Sequence, residues 1–392
     1  MKKFLLFIGI IAVIVSCSSE QTITVTIENP SDFNRSDEIV EISTDKLADI
    51  ELKDNQTFTV KNENGELIPT QITYDGYLIF QSGTNAKETK VYTIAAGAPQ
   101  SFPSKSFGRF VPERKEDFAW ENDRVAFRVY GNALVEVDGP SNGIDIWYKR
   151  TNELVIDKWY KDDIAGIRSY HDDNGEGLDD YKVGRTLGAG MMAPFVNDQL
   201  WLNENFIKQE TYEQGPLRTT FKLIYKDIEV DGKIFSESRT FSLDAGSQLT
   251  KVTQVYGTTE PIAVAAGIVK REDSSYIAQE TSEKGTTTIV YAEPTSPKAG
   301  NIYVGMVVPF EVEDVITDTY TITNPKTQKT ETHAHILAAT TYQPNNPITY
   351  YIGYGWEKFG SPKAGDFQTY IINYAARLEQ PLVVNIQLNP NK

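Results

Sequence analysis

The sequence predicts a mainly β protein, in which a small N-terminal β-sandwich is followed by a large antiparallel domain of two sheets. Short runs that alternate apolar and polar residues recur along the chain, separated by turn segments rich in glycine and asparagine. Only one segment, about residues 367–378, has its apolar residues at helical spacing. Many strands with few helices are typical of two sheets packed face to face.

The first residues have the order of a bacterial secretory signal. Two lysines precede an apolar run at residues 4–15, and Ser16 and Cys17 follow it. The run is shorter than the roughly 20 residues of a membrane-spanning helix, and it has the charged, apolar and small-residue order of a signal peptide. Cys17 is the only cysteine, and its position predicts acylation of its thiol. Residues 1–16 are therefore predicted to be a lipoprotein signal peptide, and residues 17–21 a lipidated tether.

The rest of the chain divides at a linker. Residues 22–95 hold short strand-like runs and are predicted to form the N-terminal β-sandwich. Residues 96–106 contain two prolines and several small residues, which indicates a connecting segment. Residues 107–392 carry longer strands and form the predicted large β-sandwich, which would be the catalytic domain. Asp231 and Gly232 lie between two such strands and predict a tight hairpin turn.

The composition excludes some partners and leaves others open. The formal net charge of −16 argues against nucleic acid, which requires a basic surface, but it allows a local pocket of arginine and lysine. The lipid anchor makes the outer membrane a predicted partner. Since only one acidic residue lies between Cys17 and Thr22, we expect the protein to face the periplasm.

The glycine-rich segment 172–200 lacks a regular period and is predicted to be a functional loop. A general base beside cationic groups is what proton abstraction next to a carboxylate requires. The acidic part of the loop also resembles a calcium site, although it lacks the glutamate that ends an EF-hand loop; a solvated acidic loop remains the alternative. The predicted catalytic residues in and beside this loop are His171, Tyr181, Lys182 and Arg185, with Tyr170 next to them as a substrate-binding residue.

The two remaining histidines, His333 and His335, form a pair in a predicted strand. Residues two apart in a strand face the same side, so both imidazoles can converge on one metal, such as zinc, or on one anionic group. Two histidines on the polar face of a surface strand are the alternative. The sequence does not require a cofactor, and it leaves a divalent cation, calcium or zinc, open.

Two segments combine aromatic residues with polar ones, as sugar-binding subsites do. They are residues 109–124 and residues 350–358. A solvated face and a half-buried strand end are the respective alternatives. The predicted substrate-binding residues are Trp120, Glu121, Asn122 and Arg124 in the first segment, and Tyr354 and Trp356 in the second.

Several of these motifs resemble a Bacteroidetes lipoprotein family, formerly of unknown function, from polysaccharide-utilisation systems. The likeness extends from about residue 22 to the C-terminus. Residues 214–218, followed by a strand, resemble the galactose-mutarotase-like supersandwich. One type within the family is an oligosaccharide dehydratase that acts on ulvan fragments. The motifs that carry the family resemblance are at residues 118–122, 159–160, 170–172, 175–179 and 181–184.

The resemblance implies elimination of water from a terminal glucuronic or iduronic acid of an acidic oligosaccharide. The predicted base is His171, with Tyr181 as second choice. Tyr181 or Tyr170 would protonate the leaving 4-hydroxyl. Arg185, Lys182 or a metal at the histidine pair would neutralise the substrate carboxylate. A polysaccharide lyase, a non-enzymatic glycan-binding lipoprotein and an aldose epimerase are the alternatives.

Overall fold

A computed structural model describes residues 21–271 and 277–389. The signal peptide, most of the tether and the lipidation of Cys17 lie outside the described residues. Within the described ranges, no helix has the length and hydrophobicity needed to cross a membrane. The chain is mainly β, with several antiparallel sheets that fit a sandwich-type fold, as the sequence predicted.

The N-terminal sandwich consists of two sheets that enclose one apolar core. One sheet contains β1, β7, β3 and β4 in spatial order, and the other contains β2, β6 and β5. Alternate residues such as Val25 and Ile94 in the first sheet meet Val40 and Phe80 from the second, as period-two strands require. The strands are β1 (Thr22–Glu28), β2 (Arg35–Ser43), β3 (Thr57–Lys61), β4 (Leu67–Ile68), β5 (Thr70–Ile72), β6 (Tyr77–Thr84) and β7 (Thr89–Gly97), with a 3-10 turn at Thr44–Leu47.

The large domain begins with a five-stranded antiparallel sheet. One face of this sheet packs on the main core through residues such as Phe118 and Phe127. The opposite face is covered by a helix, α2, that the sequence analysis did not predict. The elements are β8 (Ser106–Val111), β9 (Asp117–Asn122), β10 (Ala126–Val129), a 3-10 turn (Asn132–Leu134), α1 (Val135–Asp138), β11 (Asp145–Lys149), α2 (Ile156–Ile164) and β12 (Gly177–Leu178).

Two further sheets complete the large domain. An eight-stranded sheet has the order β15-β16-β19-β20-β27-β24-β23-β22, and a five-stranded sheet has the order β14-β13-β21-β26-β25. The strands are β13 (Met192–Val196), β14 (Gln199–Leu200), β15 (Lys208–Glu213), β16 (Arg218–Ile224), β17 (Ile228–Val230), β18 (Lys233–Phe235), β19 (Glu237–Asp244), β20 (Leu249–Tyr256), β21 (Ile262–Lys270), β22 (Ile277–Thr281), β23 (Thr287–Ala292), β24 (Ile302–Val308), β25 (Asp314–Thr323), β26 (Thr330–Tyr342) and β27 (Ile348–Trp356).

The eight-stranded sheet is buried on both faces where helix α3 (Ala364–Glu379) covers it. The sequence predicted this helix at about residues 367–378, and the prediction is confirmed. Strand β24 illustrates the double burial, because Val304 faces the main core while Tyr303 faces α3. A strand covered on both sides is expected to be a continuous apolar run, and β24 is one.

The predicted turn at Asp231 and Gly232 joins β17 to β18 and is confirmed. Both residues have positive φ angles, 49° and 75°, as a two-residue hairpin of this kind needs.

The final strand, β28 (Val383–Leu388), pairs with β1 and so extends the N-terminal sheet. Its residues Val384 and Ile386 pack on the N-terminal core. The sequence analysis assigned residues 107–392 to the large domain as one unit. The alternation of β28 predicts a strand, but a local pattern carries no information about the partner strand.

Candidate functional site

A row of charged residues occupies the outer face of β9, β10 and β11. Strand alternation and register place Asp117, Arg128 and Asp145 on this face, while Phe118 and Phe127 point into the core. All three charged residues are buried. Buried charges are costly unless they are paired and hydrogen-bonded. We therefore expect these residues to pair with each other or with charged residues from neighbouring segments.

Arg128 is the centre of a network that we call the Arg128 cluster: Arg128, Tyr130, Asp145 and Asp179. Its Nε donates to Asp145 Oδ2 at 2.8 Å, and its Nη2 donates to Asp179 Oδ2 at 2.8 Å and to the Tyr130 hydroxyl at 3.1 Å. The Tyr130 hydroxyl donates in turn to Asp145 Oδ2 at 3.1 Å. The guanidinium also lies over the Trp147 ring, 5.0 Å from its centroid. The cluster thus ties the outer sheet face to the loop that carries Asp179.

This cluster and its neighbours have unusual protonation properties. Burial raises the pKa of Asp145 to about 7, although Arg128 opposes the shift. Burial also raises the pKa of Asp117 to about 6, against the charges of Arg128 and Arg114, and raises the pKa of the Tyr130 hydroxyl well above its ordinary value. Tyr130 therefore keeps its proton at neutral pH. Groups with strongly shifted pKa values are common at functional sites.

Some polar atoms of the region make no hydrogen bond, although Arg114 Nη1 lies 3.7 Å from Asp117 Oδ2. Within the described residues, Arg128 Nη1, Arg114 Nη1 and Asp117 Oδ1 are buried without a hydrogen bond. Native proteins leave few buried polar groups unpaired. The network is therefore incomplete on the side that includes Arg114.

Tyr130 and Arg114 also line a cavity of about 350 Å³, which we call the Tyr130 cavity. The β8–β9 turn, the segment after β10, the loop at residues 184–185 and the β25–β26 hairpin contribute to its walls. Three basic residues against two acidic ones favour an anionic group. Its charged and hydroxyl-bearing lining residues are Arg114, Tyr130, Asp138, Ser141, Arg185, Thr327, Lys329 and Glu331.

Neither His333 nor His335 is among the residues that line this cavity, but His333 lies beside two that do, Gly184 and Glu331. The two rings share one side of β26, as predicted, and both lie near Tyr320, with centroids 5.9 and 5.5 Å away. The His333 imidazole lies beside Gly184, since a Cβ on that glycine would be 3.8 Å from Cε1. Its Nε2 is 3.7 Å from Glu331 Oε2. Burial lowers the pKa of His333, so the ring is neutral at pH 7 and able to accept a proton.

The geometry does not support metal binding by the histidine pair. His335 is completely buried, its Nε2 accepts a hydrogen bond from the Leu187 amide at 3.0 Å, and burial lowers its pKa to about 3. Within residues 21–271 and 277–389, no group of three or more His, Cys, Asp and Glu side chains is arranged to hold a metal ion. The geometry does not support a calcium site in the acidic loop either. Asp173 Oδ1 accepts a hydrogen bond from the Gly175 amide at 2.9 Å and pairs with Arg150 at 3.0 Å.

The four predicted catalytic residues do not meet at one point. His171 lies on the loop side of the Arg128 cluster, with Nδ1 3.5 Å from Asp179 Oδ2, and its side chain is 55% exposed. Arg185 lines the Tyr130 cavity, although its guanidinium also donates to the backbone carbonyls of Leu202 and Asn203. Of the four, only Arg185 lines this cavity.

The other two predicted catalytic residues have different environments. Tyr181 is buried in the main core under Arg271, whose guanidinium is 5.4 Å from the ring centroid. Burial raises its pKa well above the ordinary value, which makes it a poor base. The Lys182 side chain is exposed, and its backbone carbonyl accepts a hydrogen bond from Arg271.

The predicted sugar-binding role of the first aromatic segment is wrong for three residues, because they are completely buried. Trp120 stacks on Phe127 at 5.3 Å within the core. The Asn122 amide donates to the backbone carbonyls of Asp244 and Ser247. The aromatic side chains that the sequence interleaves with charge point inward, and composition alone does not reveal this direction. The three residues are Trp120, Glu121 and Asn122.

Tyr354 and Trp356 are likewise buried, so the prediction that they form a sugar platform is wrong. The Tyr354 hydroxyl donates to the Trp147 carbonyl, and Trp356 Nε1 donates to the Ala299 carbonyl at 2.7 Å. Both side chains serve packing between sheets. Tyr170, also buried, stacks on Trp147 at 4.9 Å.

Arg124, the remaining predicted sugar contact, is partly buried. Its guanidinium lies over the Phe359 ring at 5.1 Å, and Arg124 is not among the residues that line the Tyr130 cavity.

A second buried ion pair, Glu121 with Lys149, lies on the same sheet face, and we call it the Glu121 pair. Lys149 Nζ is 2.7 Å from Glu121 Oε2 and also donates to the Asn122 carbonyl. Glu121 Oε1 accepts from the amides of Val155 and Ile156, both at 2.7 Å. These amides begin helix α2, where a carboxylate is favourable. The pair therefore anchors the helix.

The sequence analysis missed the residues that define the candidate site. Arg128 interrupts the apolar run at residues 125–130, and Asp145 interrupts another at residues 144–148. A charge within an otherwise apolar strand is the signal that was available, because it indicates a buried pair. Arg114, Tyr130 and Lys329 had no comparable signal. Their roles depend on contacts between segments that are far apart in sequence.

Comparison with known proteins places this chain in a family. A family model described as "Domain of unknown function (DUF4861)" matches residues 27–384. The chain is 30% identical, over 407 aligned residues and 98% of each chain, to "Uncharacterized protein P7" of Formosa agariphila.

Two solved structures from Enterococcus faecalis show a distant likeness. A protein in glycosyl hydrolase family 38 gives a TM-score of 0.45 at 9% identity, and an alpha-mannosidase gives 0.46 at 8%. Each match covers 95% of this chain, but only 48% and 46% of those chains. The chain thus spans about half the length of these two structures. From its sequence matches, the chain belongs to the family described as Domain of unknown function (DUF4861).

Proposed function

We propose that this chain is a dehydratase, which eliminates water from the uronic acid at the non-reducing end of ulvan-type oligosaccharides. The observation that carries the proposal is the Tyr130 cavity, whose lining includes a phenol held in its protonated form and three basic side chains. The sequence resemblance to the lipoprotein family supports the substrate class. The product would be an unsaturated uronate.

The basic residues bind the substrate carboxylate. Arg114, Arg185 and Lys329 line the cavity from three separate segments. Neutralising this carboxylate makes the adjacent C5 proton acidic, because the charge that develops on the carboxylate in the transition state is stabilised. Arginine can bind a carboxylate through two parallel hydrogen bonds, which also orients the sugar.

His333 and Tyr130 carry the proton transfers. His333 is neutral and takes the C5 proton; the C4–O bond then breaks as the C4–C5 double bond forms. Tyr130 gives its proton to the departing 4-hydroxyl, which leaves as water. Arg128 donates to the phenol oxygen, and this hydrogen bond stabilises the phenolate that remains until solvent restores both protonation states. Acid and base with opposed pKa shifts are expected at such a site.

The cavity size favours action on a chain end. Its volume of about 350 Å³ lies near the lower end of ligand pockets, roughly 300 to 1,000 Å³. A lyase that cleaves within a polysaccharide needs room for sugar residues on both sides of the bond. The proposal includes a periplasm-facing location at the outer membrane through acylated Cys17.

Turnover of uronate-terminated ulvan oligosaccharides tests the proposal. Ultraviolet absorbance and product masses are followed together. A dehydratase gives new absorbance and a loss of one water without chain cleavage. Shorter unsaturated products would identify a lyase instead, and unchanged substrates would contradict both elimination reactions.

A further inference from the structure

A second cavity, of about 450 Å³, lies between the N-terminal sandwich and the large domain. We call it the interface cavity. Its walls come from β2, from the outer face of the eight-stranded sheet, and from helix α3 with the segment that leads to β28. It shares no lining residue with the Tyr130 cavity. The two cavities are therefore separate sites.

Three tyrosines form one wall of the interface cavity. Tyr351, Tyr370 and Tyr374 are half-buried. The Tyr374 ring centroid is 5.1 Å from that of Tyr351 and 6.2 Å from that of Tyr370. Aromatic rings that are partly exposed in a cavity offer a face for apolar C–H groups, and their hydroxyls offer hydrogen bonds. This combination suits a ligand that has both C–H faces and hydroxyl groups.

The charges that line the interface cavity are largely paired with each other. Arg218 Nη1 is 2.6 Å from Glu41 Oε1, and its Nη2 donates to Asp244 Oδ2 at 2.9 Å. Three basic residues face four acidic ones, so the cavity offers no excess positive charge, unlike the Tyr130 cavity. A neutral ligand fits this balance better than an anionic one. The charged lining residues are Asp37, Glu38, Glu41, Arg218, Asp244, Lys251 and Arg377.

One acceptor and one donor in this lining lack hydrogen bonds. Within the described residues, Glu38 Oε2 and Arg377 Nε are buried and make no hydrogen bond, and they form an ion pair at 3.6 Å. Buried polar groups normally find partners. A ligand hydroxyl is both a donor and an acceptor, so it complements the two members of this ion pair.

We propose that the interface cavity binds a neutral sugar residue of an oligosaccharide. The site is non-catalytic and independent of the elimination chemistry proposed for the Tyr130 cavity. The C–H face of the sugar packs against the three tyrosines, and its hydroxyls lie on the side of the cavity that contains Glu38 and Arg377. Because its walls come from both sandwiches, a bound sugar also bridges them.

Binding of neutral disaccharides tests this site. Cellobiose, xylobiose and mannobiose are titrated by calorimetry and by ligand-observed NMR against the full-length protein, in a detergent without a sugar headgroup. We expect at least one to bind with a Kd of about 1 mM or tighter. Lys251→Trp, which fills the cavity from an exposed lysine, should weaken binding at least about tenfold. Lys208→Trp, at an exposed lysine on edge strand β15 of the same sheet, is the matched control and should leave binding unchanged.

A thermal melt verifies folding of each variant. Glu41→Ala is the second cavity variant, because its side chain is 44% exposed and its loss is tolerable for the fold; it should also weaken binding. Absence of binding by all three disaccharides would overturn the inference, as would binding that neither cavity variant weakens. Disaccharide binding by a protein that leaves uronate substrates unchanged would support this site and contradict only the proposed elimination.

Discussion

The Glu121 pair and the Arg128 cluster lie on the same face of one sheet, yet they differ in how completely they are satisfied. Both Glu121 oxygens are engaged, by Lys149 and by the first amides of α2. The Arg128 cluster leaves Nη1 without a partner among the described residues, and it reaches the Tyr130 cavity through Tyr130. A closed ion group holds structure, whereas an incomplete one beside a cavity is available for a ligand.

The largest expected effect is the loss of stability when the Glu121 pair is broken. Glu121→Ala leaves Lys149 buried without its carboxylate and removes the acceptor of two helix amides. We expect the free energy of unfolding in urea to fall by about 3–5 kcal/mol. Glu113→Ala is the control, because it removes a partly exposed carboxylate from an arginine pair, and it should cost no more than about 1 kcal/mol. A Glu121→Ala effect as small as that of the control would show that the pair does not hold α2.

A substitution in the Arg128 cluster should affect turnover more than stability. Tyr130→Phe removes the proposed proton donor, and kcat should fall by about 10²-fold or more, while stability changes by about 1 kcal/mol. Tyr225→Phe is the matched control, since Tyr225 also bonds a buried arginine, Arg239, at 3.1 Å, but does not line the Tyr130 cavity. Equal turnover losses in both variants would contradict a specific role for Tyr130.

A pair of histidine variants decides which side of the cluster performs the chemistry. His333→Ala should lower kcat by about 10²-fold, because the proposal makes His333 the base that takes the C5 proton. His171→Ala should change kcat no more than about twofold, the equivalent of a surface substitution of ~0.5 kcal/mol. Steady-state turnover of the same uronate oligosaccharide measures both. The reverse ranking would restore His171 as the base and move the site to the loop side of the cluster.

The last expected effect is on the pH dependence of stability, at another buried group. Since burial lowers the pKa of His335 to about 3, the unfolded chain binds a proton between about pH 6.5 and 3 that the folded chain does not. The free energy of unfolding should therefore decrease as the pH is lowered through this range, by up to ~1.4 kcal/mol per pH unit. Asp145 and Asp117, with raised pKa values, act in the opposite direction.

His335→Gln removes the acid-destabilising contribution and leaves the two carboxyl groups in place. Relative to wild type, its unfolding free energy should rise progressively as the pH falls from 6.5 to 4. Urea unfolding across this range measures the difference. Parallel curves for the two proteins would show that His335 is protonated as easily in the folded chain as in the unfolded one.

The sequence predicted the architecture better than the site, for a physical reason. Strands, helix α3 and the turn at Asp231 and Gly232 follow from local periodicity and turn chemistry, and these are confirmed. Which face of a strand becomes buried depends on what packs against it. Trp120 and Trp356 were predicted to contact sugar, but both face the core, because sheets that are distant in sequence cover them.

The candidate site depends on contacts that no local pattern encodes. Arg114, Arg185 and Lys329 come from three segments and meet only after the β25–β26 hairpin closes over the first sheet of the large domain. The Arg128 cluster was detectable in principle from charges within apolar strands. Its partner Asp179 comes from the segment 172–200, which the sequence analysis predicted to be a functional loop without naming Asp179 among its candidate residues.

The pairing of β28 with β1 has a consequence for synthesis. Ile23 lies opposite Leu388 in this pair, so β1 keeps one unpaired edge until nearly the whole chain has been made. An open edge is able to pair with other strands and promotes aggregation, and contacts this distant in sequence form slowly. We therefore expect the N-terminal sandwich to be the last part of the molecule to mature, although it is the first to be synthesised, and to be the part most dependent on chaperones.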